Sequence, residues 1–208
     1  AVTNPFNVAF GLMVMLLAVS LGALYMINNI SNEELSKRLR KSLLVSFTGF
    51  LVIFLFVVYN LFTMEGFAVI ENGIITMQEG KYLTNIIDMP VVLVMFLIGA
   101  VLLVAGGVLT LIKQTFTRGI WPSAIGTVMA VMAIFMIAGY NGTAYYPSVA
   151  DLQSSLTLAN SCSSEFTLKT MAIVSLIIPF VVAYIAYFWH KMDKKQLTRE
   201  EMETSDKY

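Results

Sequence analysis

Five stretches of this sequence, residues 8–27, 43–64, 89–112, 120–140 and 171–189, contain no Asp, Glu, Lys, Arg or His. A helix crossing a hydrocarbon layer of ~30 Å, at a rise of about 1.5 Å per residue, needs about 20 apolar residues. Each stretch is long enough. Strands are excluded as the spanning element, because each stretch is about twice the length a barrel strand needs and none alternates polar with apolar residues. In lipid every backbone group needs an internal partner, so helices follow. The sequence therefore predicts an all-α fold: a polytopic helical membrane protein with five transmembrane helices, one domain over residues 1–208. Loops 65–88 and 141–170 are expected on one side of the membrane.

The distribution of charge orients the chain. Its 13 Lys+Arg and 13 Asp+Glu cancel to a net charge of zero. The cancellation runs across the membrane: Lys37, Arg38, Arg40, Lys41, Lys113, Arg118 and the basic tail fall on one side, leaving Lys81 and Lys169 on the other. Basic segments resist translocation, so the first side is expected to be cytoplasmic, with the N-terminus outside and the C-terminus inside. An outside N-terminus with no basic, cleavable leader before the first span leads us to expect a fragment or processed product of a longer chain. Trp121 and Trp189, with Tyr59, Phe62, Tyr145 and Tyr146, fall near span ends and are expected to form interfacial aromatic belts.

Intramembrane ionisable groups usually mark ion paths, proton relays or substrate sites, and these spans carry none. The composition, 58% hydrophobic and 12% charged, excludes a disordered chain and a basic nucleic-acid binder. One cysteine, Cys162, and one histidine, His190, make an intrachain disulfide framework, a bis-histidine haem and a zinc cluster implausible. Phosphate-binding glycine loops and Ser/His/Asp sets are absent from the sequence. No catalytic, cofactor-binding or metal-ligating residue is assigned.

Small residues recur at helical spacing. Gly11, Ala18 and Gly22 share one face of the first span, Gly126, Ala130 and Ala133 one face of the fourth, and Gly99, Gly106 and Gly107 thin the third. Such faces permit close helix approach, either within the chain or against a partner. Phe47, Phe50 and Phe54 form a stripe open to lipid, a neighbouring helix or a quinone tail. Pro90 is expected to open the third span with Asp88 as cap, and Pro179 to kink the fifth. Residues 31–41 read as a short surface helix, capped by Ser31 with Glu34 at the capping-box position, whose basic side meets anionic lipid. Lys169, near the start of the fifth span, is either a snorkelling anchor or the partner of an outer carboxylate or lipid phosphate. Loop 141–170 is long enough to fold back on the membrane surface or dock on another chain. The Asn141-Gly142-Thr143 sequon lies at the membrane edge.

Several stretches resemble subunit II of the cytochrome bd quinol oxidases. They are Tyr146-Pro147-Ser148, the run Ser155-Leu156-Thr157-Leu158-Ala159-Asn160-Ser161-Cys162-Ser163-Ser164, and Thr167-Leu168-Lys169-Thr170-Met171. Ile178-Pro179 and Tyr187-Phe188-Trp189 in the last span, and Asn4-Pro5-Phe6 near the start, are similar as well. The chain looks like the C-terminal portion of such a subunit; Cys162 stands where the family often has a small residue. The resemblance implies a supporting subunit of a bacterial inner-membrane oxidase that passes electrons from quinol to dioxygen. It implies haem b and haem d in a partner, subunit I, against which this chain packs. A half-transporter for a neutral substrate, or a purely structural assembly subunit, are the alternatives the spans leave open.

Overall fold

A computed structural model describes residues 4–69 and 75–192. Helix α1, Pro5–Asn29, begins where the Asn4 side chain accepts the Phe6 N–H at 3.0 Å and Pro5 occupies the first helical position. Those two residues are suited to a helix start, where a missing N–H costs nothing. A three-residue turn leads to α2, Glu33–Thr63. Its cap is Asn32, which accepts from Leu35 N at 3.1 Å, and not Ser31. The expected surface helix is also not separate, because α2 runs unbroken from the basic segment through the span. Glu34 pairs with Arg38 one turn on, at 2.6 Å, instead of closing a capping box.

Strands β1, Glu65–Val69, and β2, Ile75–Glu79, form an antiparallel ribbon. It leads into a short amphipathic helix, α3, Lys81–Asp88, that lays Tyr82, Asn85 and Ile86 inward. Helix α4, Pro90–Ile112, opens on Pro90, but its cap is Met89 without a side-chain bond. Asp88 is committed elsewhere, accepting from the Asn141 amide at 3.2 Å. Helix α5, Ile120–Gly139, follows. Loop 141–170 folds back on itself: β3, Ala144–Tyr146, pairs with β4, Leu156–Thr157, around a 3-10 turn at Leu152–Ser154, and α6, Leu158–Ser161, closes it. β1 lies against β3, and β2 against the 3-10 turn, so the two loops cover one end of the bundle together.

The fifth span is two helices, α7, Glu165–Ser175, and α8, Ile178–Met192. Pro179 has no N–H for the Ser175 carbonyl, and its ring crowds that group. The helix accordingly breaks after Ser175, with i→i+3 bonds from Leu176 N to Ile173 O and from Ile177 N to Val174 O. The expected kink is present, one turn before the proline. The span also starts earlier than expected, at Glu165, because Ser164 caps it by accepting from Thr167 N.

Helices α1 and α2 form one antiparallel pair and α4 and α5 another, and the pairs join through α2 with α4 and α1 with α5. All five spans have the length and apolarity to cross a membrane. Four form this body; in the fifth, every residue of Glu165–Met192 is exposed.

Candidate functional site

Two polar closures hold the ends of the body. At the basic end, the Arg40 guanidinium on α2 reaches the C-terminal end of α4. It donates to the carbonyls of Thr110, Gln114 (2.8 Å), Phe116 (3.3 Å) and Lys113 (3.5 Å). A helix C-terminus has carbonyls without intrahelical partners and carries partial negative charge, so a cation there satisfies both needs. The contact also places the basic residues in the first turns of α2 and those of the α4–α5 loop at one end of the bundle.

At the opposite end, Asn85 is fully buried. Its amide donates to Ile137 O (2.9 Å), Tyr140 O (3.4 Å) and the Thr143 hydroxyl (2.6 Å). The Asn141 amide donates in turn to Asn85 Oδ1 (3.2 Å) and to Asp88. Asn141 has φ 60°, the left-handed conformation that ends a helix and that asparagine tolerates better than most residues. Both sequon side chains are thus used within the fold: the asparagine amide bonds α3, and the threonine hydroxyl donates to the Tyr140 carbonyl at the end of α5 (2.8 Å). Nearby, burial pushes the Tyr82 phenol above its ordinary pKa of 10.0.

The interior between these closures is filled by the chain itself. Phe47, Phe50 and Phe54 continue through Phe96 to Phe62 as a ladder of rings with centroids 5.5–6.5 Å apart. Phe47 lies flush on Gly107, where a Cβ would enter its ring. Of the readings open for this stripe, contact with a neighbouring helix is the one observed for Phe47 and Phe50, which are buried. A single hydrogen bond of 2.9 Å joins the buried hydroxyls of Ser20 and Ser46 across α1 and α2.

The small-residue faces divide. Gly99, Gly106 and Gly126 bring α4 and α5 together so closely that a Cβ at any of them would strike backbone or Ser123. By contrast, a Cβ at Gly11 or Gly22 would meet nothing within 4 Å, and Ala18 between them is exposed. The outer face of α1 and the whole of α7–α8 are thus apolar surfaces left uncovered among the described residues. Lys169 pairs with Glu165 at 2.6 Å, both exposed, which selects a carboxylate partner on its own helix. Cys162 is exposed between α6 and α7. Trp121 and Trp189 are exposed at span ends, as belt residues should be, whereas Phe62 turns inward onto Phe96 and Tyr145 folds over Gly139. The tail after Met192 and Glu71 lie outside the described residues.

Among the described residues no three His, Cys, Asp or Glu side chains gather to hold a metal ion. Arg40 and Asn85 were not singled out by sequence. Arg40 reads as one of several interfacial cations, and Asn85 as one polar residue in a polar loop. Periodicity was the available signal for Asn85, since it falls one turn from Lys81 and Tyr82 on the inward face of α3.

The fold and its surfaces define an all-α, multi-span membrane protein with uncovered apolar helix faces. Over residues 1–192 the sequence matches the family of cytochrome bd terminal oxidase subunit II, and the chain belongs to that family. It is similar to cytochrome bd-I ubiquinol oxidase subunit 2 of Escherichia coli K12, and equally to those of strains O6:H1 and O157:H7. Identity is 24% over 213 residues, covering 96% of this chain and 55% of each relative. The chain thus spans about half the length of the curated relatives it matches.

Proposed function

We propose that this chain is a supporting, non-catalytic subunit of a membrane quinol:oxygen oxidoreductase of the cytochrome bd type. It packs against a larger, haem-bearing subunit in respiratory electron transport from quinol to dioxygen. The observation that carries this reading is the family match, which runs through all five spans. Two features of the molecule support it. The 28-residue span formed by α7 and α8 has no buried residue and needs a protein or lipid neighbour, and the smooth face of α1 suits close helix approach.

The residues present do not fit a haem held by this chain. Its one histidine, His190, lies in the last turn of α8, exposed, and the bundle interior is occupied by the phenylalanine ladder and direct backbone contact. We assign haem b, haem d and the quinol site to the partner. The chain is read as the C-terminal portion of its subunit, in a bacterial cytoplasmic membrane. The basic end faces the cytoplasm and the loop-covered end faces outside, as the charge asymmetry favours. The test is quinol-driven oxygen uptake in membranes from cells lacking this gene: uptake is lost if the reading holds, and unchanged uptake refutes it.

A further inference from the structure

At the basic end, the last turn of α1, the start of α2 and the loop after α4 enclose an open cleft of about 800 Å³. Its three walls grade from apolar to polar in the same direction. From α1 into the following turn the wall passes from Ile27 to Ser31, on α2 from Leu44 through Lys41 to Lys37, and from α4 into the following loop from Leu111 to Gln114. In each case the apolar residue lies deeper in its span. Lys37 and Lys41 are one helical turn apart and share a face. The ion pairs among the described residues are Arg38–Glu34 and Lys169–Glu165, so neither lysine is compensated there. Arg40, bound to carbonyls that carry no formal charge, adds its own charge to the same cleft. Glu33 is the single carboxylate on the lining and leaves a cationic excess.

We propose that this cleft is a binding site for an anionic phospholipid. The phosphate sits between Lys37 and Lys41, and an acyl chain runs down Leu44, Leu111 and Ile27. Charge alone would suit any phosphate. The common polarity gradient favours a lipid, since a freely soluble anion gains nothing from an apolar floor. A headgroup that bridges α1, α2 and the α4–α5 loop would brace the junction that Arg40 closes.

Native mass spectrometry of the intact complex, stripped of lipid and titrated with phosphatidylglycerol or phosphatidylcholine, tests the site without reference to oxidase activity. Phosphatidylglycerol should bind in clear preference. A Lys37→Gln/Lys41→Gln variant should weaken it on the order of 30-fold, the effect of two interfacial lysines. Both side chains are exposed and bond to nothing among the described residues, so the fold tolerates the change. Lys113→Gln/Arg118→Gln removes equal charge outside the cleft and should leave the preference in place. Equal binding of the two lipids, an equal loss with the second pair, or displacement of the lipid by millimolar inorganic phosphate would each overturn the proposal.

Discussion

Arg40 on α2 donates to the Gln114 carbonyl at 2.8 Å, across 74 positions of sequence, and so closes the end of α4 from a different helix pair. This bond ties the two hairpins at the basic end. Substituting Arg40→Ala leaves several carbonyls at a helix end without a donor. It should cost roughly 2–4 kcal/mol, the range for hydrogen bonds to a charged group together with a helix-end charge. Arg40→Lys keeps the charge but loses the fork of donors and should recover part of it. Thermal unfolding of the purified subunit checks the order wild type, Lys, Ala.

The Asn85 network makes a sharper prediction, because Asn85→Asp preserves shape and reverses hydrogen-bonding sense. The amide now donates to three acceptors: two carbonyls and the Thr143 hydroxyl. A carboxylate would face the same oxygens with none to give, a cost of about 1–3 kcal/mol or more for an ion. Asn85→Asp should therefore destabilise the loop-covered end at neutral pH and recover in acid, as the carboxyl regains a proton to donate. Hydrogen exchange across residues 81–88 and 140–146 reports it; a pH-independent defect would contradict the network as drawn.

The division of the glycines predicts opposite signs for one substitution. At Gly126, an added methyl meets the backbone of α4, so Gly126→Ala should cost about 1–3 kcal/mol, as overpacking does. At Gly22, the methyl meets open space, and Gly22→Ala should be neutral or stabilising by up to about 1 kcal/mol from helix propensity. Detergent melting curves of the isolated subunit separate the two. If Gly22 faces a partner helix, Gly22→Ile should weaken the complex while sparing the isolated subunit.

The chain's single cysteine supplies a built-in topology probe. Cys162 is exposed at the loop-covered end. A membrane-impermeant maleimide applied to intact spheroplasts should label it, and a cysteine placed at Ser36, at the basic end, should label only after the membrane is opened. The reverse pattern would invert the assignment of sides.

The spans were legible because an uncharged run of about 20 residues has few other destinations. Their outer limits were less so. The helix of span five starts before the uncharged run does, because Glu165 and Lys169, as an i,i+4 pair, sit comfortably in its first turns. The α4–α5 glycine face and the α1 glycine face look alike in sequence; which one is filled depends on which helices meet. The same holds for Phe47, whose place against Gly107 is a long-range fact. Arg40 was visible as charge and invisible as a cap, because its acceptors are backbone carbonyls that any sequence would supply.

The central claim is that this chain is a supporting subunit joined to a haem-bearing partner. Affinity purification of the full-length tagged subunit from native membranes, followed by a reduced-minus-oxidised spectrum, tests it most directly. The account predicts a stoichiometric larger partner carrying b- and d-type haem signals, with those signals lost from membranes when this chain is deleted. A subunit that purifies alone, or haem signals and oxygen uptake that persist without it, would contradict the account.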